Sequence, residues 1–491
     1  MSFRFAAVPC IGLATLLAIS CAPPPPHVEG VSPTAPSPGT RWVPPAQAVR
    51  ADSDTSLAPG LPLELGPRRN AMDLADFLGL ALSRSPDTRV AWANARAAAQ
   101  NYGVSKGTLF PELSLDLTAT ALKTAATQGR AAVRQTVYGP SLSLTWLLLD
   151  FGGRSGSIGA AREALLSFDW LHNAAINDLI LRVTGYYYTV AADRALVLAQ
   201  RATLEEARTN LAAAEERRRN GVATIADVLQ ARTAVGQALL TAQTDEGNLA
   251  VSRGQLATAV GMSPLVEFDI DTLAGVGDIG AVSVQVDSLI QTALAQRPDL
   301  AAARAQAVQS HQQARAAKAQ QFPSLSLTGN AGRTYLTDPV RHGDTYTATL
   351  GLSIPIFNGF AWTYSARAAD ALAEAADYRA TGVAQQVTLE VYTAYHSLQT
   401  ATQQVSTARD LFASAEQSTE AALGRYKEGV GSLLELLQAQ QALADARAQL
   451  IGARLNWHTS LIQLAHDAAL LDDKGGSSLH ISPDSTSGPT R

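Results

Sequence analysis

Two periodicities divide this chain. In four short stretches apolar and polar residues alternate: Leu113, Leu115, Leu117; Leu142, Leu144, Trp146, Leu148; Leu325, Leu327; and Tyr346, Ala348, Leu350, Leu352, Ile354. Ser114, Asp116, Ser141, Ser143, Thr347 and Thr349 fill the places between. A period of two sends successive side chains to opposite faces, so strands with one apolar and one polar face are predicted near 112–120, 139–149, 324–333 and 345–356. Elsewhere apolar positions recur every seven residues: Ile176, Val183, Val190, Val197, Leu204, Leu211, and again Val391, Leu398, Val405, Phe412. Two more series run Val228, Val235, Ala242, Leu249, Leu256 and Leu436, Leu443, Leu450, Trp457, Leu464. Sustained sevens predict long helices paired as coiled coils. No proline interrupts Ser155 to Arg219, a span that reaches ~100 Å as one helix at 1.5 Å per residue.

The pattern is written twice. Pro86-Asp87 returns as Pro298-Asp299, and Phe110-Pro111-Glu112-Leu113-Ser114-Leu115 as Phe322-Pro323-Ser324-Leu325-Ser326-Leu327, both displaced by 212 positions. Gly221-Val222 and Asp227-Val228-Leu229-Gln230-Ala231 return as Gly429-Val430 and Glu435-Leu436-Leu437-Gln438-Ala439, displaced by 208. The difference falls in between, where Leu122 to Tyr138 reads as a longer loop than Gly332 to Tyr346. Each half predicts helix, strand, loop, strand, very long helix, tight glycine turn and long helix, over 68–268 and 269–471. Gly152, Gly153, Pro355 and Gly359 mark bends from strand to helix, and Gly221 and Gly429 mark the tight turns.

A half-buried soluble sheet satisfies the alternation taken alone. If the apolar face meets lipid, four strands cannot close, because membrane barrels have at least ~8 strands and tolerate no open edge. Three copies supply twelve, which predicts a homotrimer. A soluble coiled-coil tether accounts for the helices but leaves the amphipathic strand pairs without a use.

Composition adds exclusions. Charged residues make up 16% of the chain and the net charge is −5, with no basic face interleaved with aromatics, so nucleic acid is not an expected partner. The N-terminus reads as an export signal over 1–20: Arg4, an apolar run from Phe5 to Ile19, then small residues before Cys21. Leu17-Ala18-Ile19-Ser20-Cys21 resembles a bacterial lipobox, which makes Cys21 the lipidation site; Ala18-Ile19-Ser20 also suits ordinary signal peptidase. Residues 21–67, with Pro23-Pro24-Pro25-Pro26, read as an extended tether, and 472–491 as a disordered tail. Phosphate-loop, nucleophile-elbow and metal-binding histidine patterns are missing, so neither an enzyme nor a metal or cofactor is expected. His458 and His466, eight apart on one helix, are predicted at the surface.

The whole pattern resembles the TolC/OprM family of outer-membrane efflux channels, specifically its lipidated, NodT-type branch working with resistance-nodulation-division pumps. Four motifs carry the resemblance: the paired Phe-Pro-x-Leu-x-Leu at Phe110 and Phe322, Leu-Asp-Phe-Gly-Gly-Arg from Leu149 to Arg154, Ile-Pro-Ile-Phe-Asn-Gly from Ile354 to Gly359, and Arg425-Tyr426-x-x-Gly429 leading into Leu436-Leu437-Gln438-Ala439. It implies a mainly α fold with a small β part. Duplicated helical hairpins would form a trimeric periplasmic α-barrel joined to a shared 12-stranded outer-membrane β-barrel. It also implies a passive duct for small molecules, with a periplasmic adaptor and an inner-membrane pump as partners; a type I protein secretion duct shares the same fold. By resemblance the turns at Gly221 and Gly429 form the periplasmic tip. Asp227 hydrogen-bonds Tyr426 in a latch, Glu435 forms an acidic ring, Gln438 stands where a second ring falls, and Gly431 stands where the latch has a basic residue.

Overall fold

The computed structural model describes residues 35–42, 72–125, 133–270, 281–282, 285–337, 340–471 and 481–482. The first half runs α1 (Leu74–Arg84), α2 (Pro86–Gly107), β1 (Glu112–Thr124), β2 (Val133–Leu149), α3 (Gly153–Arg219) and α4 (Ile225–Ala259). After β3 (Ala281–Val282) the second half repeats it: α5 (Val286–Gln296), α6 (Pro298–Ala319), β4 (Ser324–Thr337), β5 (Val340–Ser353), α7 (Ala361–Lys427) and α8 (Leu433–Asp467), followed by β6 (Ile481–Ser482). The duplication is kept to the residue, with α3 and α7 both 67 residues long and α4 and α8 both 35.

Each half opens with two helices where one was expected. Pro86 and Pro298 occupy the first turns of α2 and α6. Proline has no N–H to continue a preceding helix but suits the start of a new one, so the chain breaks at Ser85 and Arg297. The short α1 is closed by a reciprocal capping box between Asp73 and Asp76.

The seven-residue series define the packing. Ile176, Val183, Val190 and Val197 of α3, Leu249 and Leu256 of α4, and Phe77 and Leu78 of α1 share one buried cluster. Val391, Leu398, Val405, Trp457 and Leu464 form its counterpart in the second half, between α7 and α8. Alanine fills the same seams, as at Ala214, Ala231 and Ala446, each at most 1% exposed. Among the described residues no helix is long and apolar enough to cross a membrane.

The four long strands form one antiparallel sheet ordered β1-β2-β4-β5. The two hairpins meet through β2 and β4, where Leu144 faces Gly329 and Trp146 faces Leu327. Both hairpins run farther than the alternation suggested, to Thr124 and from Val133, and to Thr337 and from Val340, which shortens the expected loops. Backbone ladders need no apolar side chains, so pairing outlasts the amphipathic pattern. The last strand ends early, at Ser353, because Pro355 has no donor to extend the ladder.

Two segments expected to lack structure are partly ordered. Ile481 and Ser482 of the tail pair antiparallel with Val282 and Ala281. Within the proposed tether, residues 35–42 lie against α1–α3: Trp42 N–H donates to Asn173 Oδ1 and Asn173 Nδ2 donates to Trp42 O, both at 2.8 Å. Trp92 Nε1 donates to Ala35 O at 2.8 Å, and Trp42 meets Trp170 edge to face. Cys21 lies outside the described residues.

Candidate functional site

The sheet separates its side chains by chemistry, apart from the Arg333–Asp344 ion pair, which alternation puts on the apolar face. One face carries rows set by the ladder: Leu115–Leu142 with Ala331–Tyr346, Leu113–Leu144 with Gly329–Ala348, and Trp146–Leu327 with Leu350. Leu117 is 79% exposed and Tyr346 87%, so no described residue of the protomer covers this face. The other face carries Ser114, Asp116, Ser141, Ser143, Ser326, Thr328, Asn330, Thr347 and Thr349. Here Ser143 Oγ donates to Asp116 Oδ2 at 3.1 Å and lies 2.6 Å from Ser114 Oγ.

The apolar face is bounded by aromatic rings. At the edge away from the helices Tyr138 stacks on Tyr335 with centroids 5.4 Å apart. At the helical edge stand Trp146, Phe110, Phe322 and Phe357, with Trp146 Nε1 donating to Leu109 O at 3.0 Å. From Leu325 to Tyr335 the strand climbs roughly 33 Å at 3.3 Å per residue, or roughly 25 Å upright at a ~40° tilt, the height of the apolar band of a membrane barrel. The edge strands β1 and β5 have no outer neighbour among the described residues.

The bends from sheet to long helix are built alike in the two halves. Phe151 (φ 50°) and Gly152 (φ 109°) occupy the left-handed region before α3, and Gly359 (φ 67°) and Phe360 (φ 66°) before α7. One residue of each pair is a glycine; the phenylalanine beside it accepts strain of about 1–2 kcal/mol. Asp150 Oδ2 accepts the Arg154 N–H at 2.6 Å, as Asn358 Oδ1 accepts that of Trp362 at 3.4 Å. Gly153 leaves room for that carboxylate, since a Cβ there meets Asp150 Oδ2 at 2.9 Å. Arg154 then donates to Thr108 O and Leu148 O, tying α2, β2 and α3 together. Pro355 lies between β5 and this bend.

At the opposite end the turns at Gly221 (φ 78°) and Gly429 (φ 76°) close the hairpins. Val222 N–H donates to Arg217 O at 2.9 Å, and Val430 N–H to Arg425 O at 3.0 Å. The next residues diverge. Asp227 Oδ2 accepts from Thr224 N at 2.7 Å and from Thr224 Oγ1 at 2.8 Å, completing a capping box, so within the protomer its carboxylate serves its own helix start and not Tyr426. Ser432 caps α8 by accepting from Glu435 N–H, leaving the Glu435 carboxylate to bind Arg425 at 2.6 Å. Tyr426 is buried among Ala214, Val228, Leu433 and Leu436. The Arg217 guanidinium sits 4.2 Å from its ring centroid and donates to its carbonyl at 3.2 Å. Gln438 is exposed one turn beyond Glu435.

The guanidinium groups at the tip were missed in the sequence, although the run Arg217-Arg218-Arg219 stands just before the turn. A basic side chain at position 431 has no easy place: a Cβ there lies 3.0 Å from Arg425 Cβ and 3.2 Å from backbone. The histidines also differ from expectation: His458 is buried and His466 is half-buried. His458 stacks on Tyr188 with centroids 4.4 Å apart, and burial, helped by Arg454, lowers its pKa to about 4. His466 lies between Asp178 and Asp467. α8 packs against α7 on one side and α3 on the other, which encloses His458 and leaves His466 at the margin of the α3 contact.

An amphipathic four-stranded sheet joined through strained bends to paired long helices defines a subunit of a membrane-spanning duct. The model for the family described as Outer membrane efflux protein matches residues 77–262 and 289–467, and the chain belongs to that family. It is the outer-membrane channel component of an efflux system. Among its relatives, the "Probable efflux pump outer membrane protein TtgC" of Pseudomonas putida is 30% identical over 411 residues, covering 80% of this chain and 81% of the relative. "Protein CyaE" of Bordetella pertussis is 28% identical over 393 residues, covering 77% and 80%. The solved structure of outer membrane protein VceC from Vibrio cholerae superposes with a TM-score of 0.71 at 20% identity, covering 80% of this chain and 95% of that one.

Proposed function

We propose that three copies of this chain close a 12-stranded barrel in the outer membrane, continuous with a periplasmic tunnel of long helices. The duct is passive: a periplasmic adaptor docks at the tip, and an inner-membrane pump of the resistance-nodulation-division type drives small molecules through. The observation that carries this reading is the sheet, with one exposed apolar face and two edges unpaired among the described residues, since an open edge has no partner in lipid. A thioether-linked lipid on Cys21 adds a second anchor. Relatives whose names give toluene or antibiotics as cargo support small molecules as the cargo class.

Light scattering of the detergent-purified protein tests the assembly, with a trimer mass expected. A monodisperse monomer that keeps its strand signal in circular dichroism overturns the shared barrel. The anchor is tested separately by mass spectrometry of the mature N-terminus, where an unmodified Cys21 removes it.

A further inference from the structure

The rim of the sheet farthest from the helices holds a charge imbalance that conduction does not use. Among the described residues of the four strands, the cations are Lys123, Arg134, Arg333 and Arg341, and the acids are Glu112, Asp116 and Asp344. Glu112 and Asp116 lie toward the helical end of β1. Asp344 is taken by Arg333 through two bonds of 2.7 and 3.0 Å.

Lys123 and Arg134 are left at the far rim, and they are direct cross-strand partners. Alternation from Leu113 along β1 and from Leu142 along β2 puts both on the apolar face. Both are exposed, and neither has an acidic partner among the described residues. Directly opposed residues hold their Cβ atoms about 5 Å apart, where like charges repel, so the pair lacks an anion. The next row inward is small, Ala121 opposite Thr136, with Thr136 N–H donating to Thr337 Oγ1 at 2.9 Å. Below that row lies the Tyr138–Tyr335 stack, with Ala119 opposite Tyr138. Two cations over a row of small side chains and an aromatic shelf make a shallow notch.

We propose that this notch seats the phosphorylated headgroup of an outer-leaflet lipid. Lys123 and Arg134 bind one phosphate from two sides, the guanidinium supplying paired donors, and the first acyl carbons lie over Tyr138 and Tyr335. The anion removes the cross-strand repulsion and fixes the height of the barrel in the bilayer. This inference rests on the placement of the sheet in the outer membrane.

Native mass spectrometry of the detergent-purified protein with bis-phosphorylated lipid A, and with its dephosphorylated form, tests it. The wild type is expected to retain the phosphorylated lipid. The double variant Lys123→Gln, Arg134→Gln should retain it about 30-fold less, since each cation near an anionic leaflet counts for about fivefold. Arg341→Gln, on the opposite face, should change nothing. Equal retention by wild type and double variant, equal retention of the two lipids, or inorganic phosphate binding as tightly as the lipid each overturns the proposal. Membrane fractionation of the same proteins separates the two readings: a chain that does not sediment with outer membranes refutes the duct placement, whereas a membrane-bound protein indifferent to phosphate refutes the notch alone.

Discussion

His466 joins the two halves of the protein through Asp178: its Nε2 lies 3.0 Å from Asp178 Oδ1 on α3, while its Nδ1 lies 2.9 Å from Asp467 Oδ1 on its own helix. Burial pushes the imidazole pKa down, but the two carboxylates outweigh it and raise it to about 9. A raised pKa means the folded protein holds the proton more tightly than the unfolded chain does. The stabilisation is complete below about pH 6.5 and is lost as pH rises through about 9. The melting-temperature difference between wild type and His466→Gln is therefore expected to shrink steadily from pH 6.5 to 9.5. A difference that stays constant over that range removes the charged bridge.

Asp169 presents the opposite sign. It is 0% exposed on α3, and neither carboxylate oxygen has a hydrogen-bond partner among the described residues. Burial raises its pKa to about 8, so the folded state favours the neutral acid. Stability is unaffected near pH 4 and declines as pH rises toward 8, where the charge must be accommodated without a partner. Asp169→Asn keeps the shape without the charge. It is expected to melt like wild type at pH 4 and at a higher temperature at pH 8; a lower melting temperature at pH 8 means that the carboxylate has a partner in the assembled protein.

The duplicated halves solve one electrostatic problem in two ways. In the first, Arg182 on α3 reaches Asp87 on α2 at 2.8 Å, with the arginine side chain 45% exposed. In the second, the position equivalent to Arg182 is Glu390, and Arg297 supplies the cation, binding Asp299 at 2.7 Å and Glu390 at 2.5 Å from a side chain only 8% exposed. Removing a buried partner leaves uncompensated charge, whereas an exposed pair contributes little. Arg297→Met should lower unfolding free energy by about 1–3 kcal/mol, because the carboxylates it leaves behind are still partly solvated, and Arg182→Met by less than about 1, as read from urea titrations. Equal losses would contradict the assignment.

At the tip, Arg425 partly neutralises Glu435 through an ion pair with both side chains about half exposed. In a trimeric duct, Arg425→Gln should strengthen block by multivalent cations in planar bilayers, and Glu435→Gln should weaken it. Arg217 covers the Tyr426 ring and holds its carbonyl, so Arg217→Gln should raise single-channel conductance. Conductance unchanged in Arg217→Gln, with the trimer intact, means that closure rests on the apolar packing of Leu433 and Leu436 instead.

Much of the architecture was legible because its signals are local. Alternation placed Leu113, Leu115 and Leu117 on one face of β1, and the sevens from Ile176 to Val197 marked the buried seam of α3, since backbone geometry alone decides which residues share a face. The repeats showed in the constant displacements, and the bends in their glycines. Partner choice was not legible. Asp227 has a tyrosine and a threonine to choose between, and only the folded tip, with Thr224 three residues away, shows that the carboxylate turns back on its own helix. Arg297 binds Glu390 across 93 positions, and His466 meets Asp178 across 288. Such pairs follow from how helices cross, and a crossing depends on every side chain in the seam at once. The pairing of β2 with β4 has the same origin: alternation defines the faces of a strand but not its neighbour, which the packing of α3 against α6 and α8 decided by bringing the two hairpins side by side.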